Sequence, residues 1–108
     1  MTKIDLPQGT LDLLVLRVLS AGDMHGWGIA QRLSVLSKEA LQLQEGTLYP
    51  ALYRMEAKGW ITAEWAQTEN NRRAKYYRLT KIGKKRLEKE KHGWDLLAGV
   101  VAAVMKGE

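Results

Sequence analysis

The chain contains no cysteine, which removes disulfides, thiolate metal sites and a cysteine nucleophile at once. Folding has to rest on packing, and the composition suits a reducing cytosol. Histidine is scarce as well: the chain has two, His25 and His92, and with no thiolate to join them they form no set with metal-ligand spacing. No metal and no other cofactor is expected. No apolar stretch approaches the ~20 residues that span a bilayer, and the N-terminus lacks a basic segment followed by a long apolar run. These absences predict a cytoplasmic protein without membrane contact. Phosphate-cradling glycine loops and nucleophile elbows are missing, and Glu45 and Glu56 lack a partner carboxylate or base in an evident cleft. No catalytic residue emerges, so an enzyme is not expected.

What is present is basic and unevenly spread. The 108 residues, with 45% hydrophobic, allow one domain with a modest core. The formal net charge is +5, yet Arg72 to Lys91 alone holds ten basic residues against Glu88 and Glu90, leaving −3 for the remainder. Such a concentration attracts a polyanion through release of its counterions. A solvated lysine face is the plainer reading of Lys84 to Lys91 taken alone.

Periodicity supplies the elements. Leu11, Leu14, Val15, Val18 and Leu19 predict a first helix after Gly9 or Thr10, broken at Ser20–Asp23. A second helix runs from about Gly26 to Leu36, burying Ile29, Leu33 and Leu36. Residues 37–44 form a connection in which Leu41 and Leu43 alternate with Gln42 and Gln44, a short extended piece able to pair with a later hairpin. Residues 45–80 then read as a short helix and a two-stranded hairpin. Thr47 is the expected cap, Leu48, Leu52 and Met55 share the inner face, and Gly59 ends the helix. Pro50 is expected at the third helical position, where its missing donor has no partner anyway. The outer face carries Thr47, Pro50, Tyr53, Arg54 and Ala57, with Tyr49 at its edge, a set suited to a major groove. Ile61, Ala63 and Trp65 are expected inward on one strand, Tyr77 and Leu79 on the other, joined by the polar loop Gln67 to Ala74.

Thr80 caps a last helix reaching Val104 or Met105. Leu87, Trp94 and Val101 recur every seven residues, as do Glu90, Leu97 and Val104, an a/d seam with one polar member. A helix so apolar toward its end needs a covering surface, and a second copy of the chain is the expected one. Packing back on the first helix is the alternative, and both arrangements are compatible.

Several side chains admit a DNA reading beside a plainer one. Tyr49 and Tyr53 are placed to anchor a phosphate or reach a base edge, or to close the core against the hairpin. Arg54 either reads guanine or pairs with Glu56 or a phosphate. Arg72 and Arg73 at the loop tip enter a minor groove, ride along the backbone or stay solvated, with Lys75 and Tyr76 extending the same surface. His25 precedes a helix and is placed to meet a phosphate. Trp94, on the seam, would face its symmetry mate across an apolar gap able to sandwich a flat aromatic compound, with Leu97, Val101 and Asp95 as walls or a cation partner. Ordinary seam packing is the alternative.

Taken together, Leu11 to Leu19, Met24-His25-Gly26-Trp27-Gly28-Ile29, Glu45-Gly46-Thr47-Leu48-Tyr49-Pro50-Ala51-Leu52, Glu56-Ala57-Lys58-Gly59-Trp60-Ile61 and Arg73-Ala74-Lys75-Tyr76-Tyr77-Arg78-Leu79-Thr80 resemble the PadR family of bacterial transcriptional regulators over nearly the whole chain. The resemblance implies an α+β fold, mainly helical with a small hairpin: a winged helix-turn-helix DNA-binding domain over 1–80 and a C-terminal dimerisation helix over 81–108, packed on the same core. It implies a homodimer that binds a roughly palindromic double-stranded operator and usually represses, and the short C-terminus is similar to the small subgroup with a single terminal helix. Small PadR-like multidrug regulators use a tryptophan of that helix to hold a planar aromatic effector, and Trp94 stands at a similar position. Trp27 departs from the pattern: many relatives have tyrosine there, whose hydroxyl the indole N–H replaces as a phosphate donor if the contact exists. The competing functions are a winged-helix protein–protein interaction module and a ligand-sequestering dimer with little DNA binding.

Overall fold

The computed structural model describes residues 6–107. The ends of the two expected segments, residues 1–5 and 108, lie outside them. The elements follow in the order α1 (Gln8–Ser20), β1 (Met24–His25), α2 (Gly26–Leu36), α3 (Glu45–Ala57), β2 (Ile61–Gln67), β3 (Arg73–Leu79) and α4 (Lys81–Lys106). Three helices and the root of a hairpin surround one core, and α4 runs past it. At 1.5 Å per residue α4 is about 39 Å long, which accounts for most of the 57 Å long axis of the molecule.

Leu16, Ile29, Leu48, Leu52, Met55 and Ile61 are fully buried, drawn from α1, α2, α3 and β2. Each such side chain contributes about 1.5 to 3 kcal/mol by leaving water. The spacing of Leu11, Val15, Leu16, Val18 and Leu19 gives α1 two adjoining buried stripes, so it lies at the centre and packs on α2, α3 and α4.

The structure revises several sequence expectations. α3 begins at Glu45, after Gln44 and without a side-chain cap, so Thr47 sits inside the first turn. Pro50 is consequently interior, and the Gly46 carbonyl loses its helical donor. Both residues are exposed, so water can meet that carbonyl. The third strand of the sheet is Met24–His25, paired antiparallel with Tyr77 and Tyr76, and residues 41–44 form no strand. Immediately before α2, the dipeptide completes a sheet in the order β1-β3-β2. Leu36 is exposed, because α2 ends beyond the edge of the core.

β2 and β3 pair from Ile61↔Leu79 to Gln67↔Arg73, leaving Thr68–Arg72 as the connecting loop. The Thr68 N–H donates to the Arg72 carbonyl at 2.6 Å, the Arg72 N–H donates to Thr68 Oγ1 at 3.3 Å, and Asn71 adopts a φ of 61°. The loop is therefore closed on itself.

The start of α4 is fixed by Thr80. Its hydroxyl accepts from the Gly83 N–H at 3.0 Å and donates toward the Gly59 carbonyl at 2.6 Å, tying the helix to the end of α3. Gly59 itself, at a φ of 77°, makes the left-handed turn that ends α3. Arg86 lies 4.7 Å and Lys58 4.8 Å from the Trp60 ring centre, so the indole seats α4 against the α3–β2 junction. Leu87, expected on an intermolecular seam, is instead buried in this chain's own core. The first turns of α4 still lie over α1, and the free apolar stripe begins only further along the helix.

Candidate nucleic-acid interface

α3 presents Thr47, Tyr49, Pro50 and Tyr53 outward because Leu48, Ala51, Leu52 and Met55 are held inside. Tyr53 is 76% exposed, so the core makes little use of its ring. Tyr49 is less free. Its ring rests on Gly26, where a Cβ would meet Tyr49 Cε1 and the hydroxyl oxygen at 2.7 Å. Glycine at the first position of α2 thus allows α2 and α3 to close through this tyrosine.

Between α3, the start of α2 and the hairpin lies an open groove of about 1130 Å³. It gathers His25, Trp27, Tyr49, Tyr53, Arg72, Arg73, Lys75 and Tyr76 from the expected set. Thr47 and Pro50 are exposed but outside its lining. Gln31, Trp65, Thr68 and Asn70 also line it, and sequence reading singled out none of them for this role. Residues brought together from distant positions make one concave, largely aromatic surface, in which Arg72, Arg73 and Lys75 outnumber Glu56 and Glu69.

The individual groups differ in how free they are. His25 Nδ1 accepts the Gly28 N–H at 2.9 Å and so caps α2. The neutral imidazole then carries its proton on Nε2, as a donor. Its ring meets Tyr76 edge-on at 5.3 Å and lies 6.0 Å from Trp27. Trp27 is 65% exposed. Lys75 Nζ is 3.3 Å from Glu56 Oε1, linking hairpin to α3. Burial, with Glu56 and Tyr49 adding to it, raises the Tyr77 hydroxyl above its usual range and keeps it protonated.

Arg54 is a correction. Expected on the outer face, it turns inward and donates from both terminal nitrogens to Asp12 at 2.7 and 2.8 Å. The carboxylate is nearly buried at 5% exposure, and its hydrogen bonds and charge hold the guanidinium even more firmly protonated than usual. That fork is engaged in the fold and not offered to a base. Asp12 could have been noticed: it stands three and four residues before Val15 and Leu16 on an apolar face, where an acid needs a partner. Trp65 is the second correction. It keeps the inward register of Ile61 and Ala63 yet is 58% exposed, because the hairpin extends past the core beneath it.

The apolar stripe of α4 forms a separate surface. Trp94, Leu97, Val101 and Val104 are all at least 49% exposed, together with Leu96 and Val100. Among the described residues no helix is long and apolar enough to cross a membrane, and no group of three or more histidine, aspartate or glutamate side chains is arranged to hold a metal ion.

Comparison with known proteins identifies the family. The family model of the PadR-like transcriptional regulators matches residues 15–89. The chain is 31% identical to an uncharacterized protein of Lysinibacillus sphaericus over 99% of its own length and 98% of the relative's. It is 28% identical to a transcriptional regulator of Mycobacterium tuberculosis, with coverage of 87% and 84%. Among solved structures, a PadR family transcription regulator from Clostridium difficile superimposes with a TM-score of 0.76 at 34% identity, covering 88% of this chain and 97% of that one. A transcriptional regulator from Clostridium thermocellum gives 0.82 at 29% identity, covering 89% and 93%. The order of the elements, the helix with its adjoining hairpin and these matches lead to one assignment: the chain belongs to the PadR-like family of transcriptional regulators, which are DNA-binding proteins and not enzymes.

Proposed function

We propose that the protein is a homodimeric, sequence-specific repressor acting on DNA in the cytoplasm, with a roughly palindromic operator and release by a small molecule. The observation that carries this reading is the single groove in which the exposed Tyr53 of α3 faces the Arg72, Arg73 and Lys75 of the hairpin. α3 enters a major groove with Thr47, Tyr49, Pro50 and Tyr53 foremost. His25, Trp27 and Tyr76 meet phosphates beside it, and the hairpin lies along the neighbouring backbone. Arg54 supports α3 from behind through Asp12.

The second chain joins through the exposed stripe of α4, at Trp94, Leu97, Val101 and Val104. Those four positions recur at spacings of three and four along one helical face. A twofold axis there brings the two Trp94 rings together, and a planar aromatic effector inserts between them with Leu97 and Val101 as walls. An effector that fits one interhelical arrangement better than another shifts the spacing of the two α3 helices and hence operator affinity. Footprinting on the promoter of the protein's own gene tests the reading. Two protected half-sites centred about one helical turn apart, ~34 Å, support it; unprotected DNA, or one isolated half-site, refutes the symmetric form. Titration of tryptophan fluorescence with planar cationic dyes tests the effector site, since Trp94→Ala abolishes the response if the sandwich exists.

A further inference from the structure

We infer that Trp65 is a DNA-backbone contact, its indole face carrying Arg73 and its indole N–H donating to a phosphate. The inference rests on the proposed DNA-binding reading of the groove and adds a residue and a chemistry to it. Trp65 lies opposite Lys75 in the β2–β3 ladder, with Arg73 two residues further along the same face. Nearer the body that face is core, with Ile61, Tyr77 and Leu79 all buried. Beyond Ala63 the sheet overhangs, and the same face looks across open space toward α3. A tryptophan kept 58% exposed there serves packing little.

Three observations point to a phosphate. Arg73 Cζ sits 5.6 Å from the Trp65 ring centre, so the ring holds the cation over the groove. A cation held in place loses less freedom on capturing a phosphate than one swinging in water. Lys75, by contrast, is drawn to Glu56 on α3, leaving Arg73 the less committed charge on this face. The hydrogen-bonded Thr68–Arg72 loop beyond it fixes the hairpin tip. A helix in a major groove has a phosphate ridge on each side, and the overhanging face meets one of them. The indole N–H is a neutral donor without acceptor capacity, which matches a phosphate oxygen, itself an acceptor only.

Because the contact is to backbone, a random-sequence 30-base-pair duplex at low salt suffices to test it, through binding isotherms at several salt concentrations. Trp65→Phe retains an aromatic platform for Arg73 but loses the donor; its affinity falls about tenfold, the lower end for one hydrogen bond to a charged group, with the wild-type salt slope. Arg73→Gln lowers the slope by about one, as expected when one phosphate contact is lost. Trp65→Ala loses the donor and the platform, weakens binding further, and keeps the wild-type melting temperature because the side chain is exposed. A Trp65→Ala isotherm that overlays the wild type overturns the inference and leaves the DNA-binding reading standing. Wild-type protein that ignores the duplex at low salt overturns both.

Discussion

Asp12 of α1 and Arg54 of α3, 42 residues apart, are joined by two parallel hydrogen bonds of 2.7 and 2.8 Å. The pair fastens α3 to the helix at the centre of the core. It also uses two strongly hydrated groups where apolar contact would serve, so its value depends on both partners being present. Arg54→Ala leaves a nearly buried carboxylate without its counter-ion and is expected to lower stability by about 3 kcal/mol. Asp12→Ala costs less, about 1 to 2 kcal/mol, because the freed and partly exposed guanidinium can reach water. Urea unfolding of the two single variants and the double variant reads the coupling directly. Strictly additive losses would contradict the assigned pairing.

Gly26 and Gly83 separate two ways of failing. At Gly83 a Cβ would stand 2.0 Å from the Trp60 carbonyl oxygen, a backbone atom. Gly83→Ala therefore displaces the start of α4 and costs upward of about 3 kcal/mol, the severe end of overpacking. At Gly26 the obstructing atoms belong to the Tyr49 ring, which can swing aside. Gly26→Ala is expected to cost about 1 kcal/mol of stability while lowering DNA affinity, since Tyr49 and its helix shift. Thermal melts and band shifts on the same preparations check the contrast.

Arg72 and Arg73 lie at and beside the hairpin tip, both exposed. Replacing both with alanine is expected to leave the melting temperature nearly unchanged, because exposed charges contribute little to folding. DNA affinity should fall and its salt dependence flatten by about two charges' worth. An unaltered salt slope would place the hairpin away from the duplex.

Tyr77 predicts an alkaline limit. Its hydroxyl titrates above the ordinary value of 10.0, chiefly through burial. The folded state thus binds that proton more tightly than the unfolded chain, and the associated stability is complete below pH 10.0 and lost as pH rises through the folded value. Tyr77→Phe removes the titration, and denaturant midpoints measured upward from pH 9 should then decline less steeply than in the wild type.

Much of the architecture was legible from periodicity. The buried stripe of α3, the alternation of the hairpin strands, the Thr80 cap and the glycine turn at Gly59 all follow from short-range rules of spacing and backbone sterics. What escaped was set by tertiary distance. Trp65 obeys the same alternation as Ile61, but where a core ends along a strand depends on the layer beneath it. Leu87 fits a heptad with Trp94, yet α1 reaches far enough along α4 to claim it. The expected helical position of Pro50 was wrong because α3 starts two residues before the threonine that best matches a cap. Two-residue β1 carries no periodicity at all. For the groove, the basic hairpin and the outward tyrosines were visible in the sequence, whereas the inward turn of Arg54 required knowing that Asp12 lies behind it.

The central claim is that two copies, joined through α4, place two α3 helices and two basic hairpins on one duplex. Sedimentation equilibrium with a labelled duplex from upstream of the protein's own gene, at two salt concentrations, tests it most directly. The account predicts two chains per duplex, with an affinity that drops steeply as salt is raised. Protein that sediments as a single chain and leaves the duplex unbound even at low salt would contradict it.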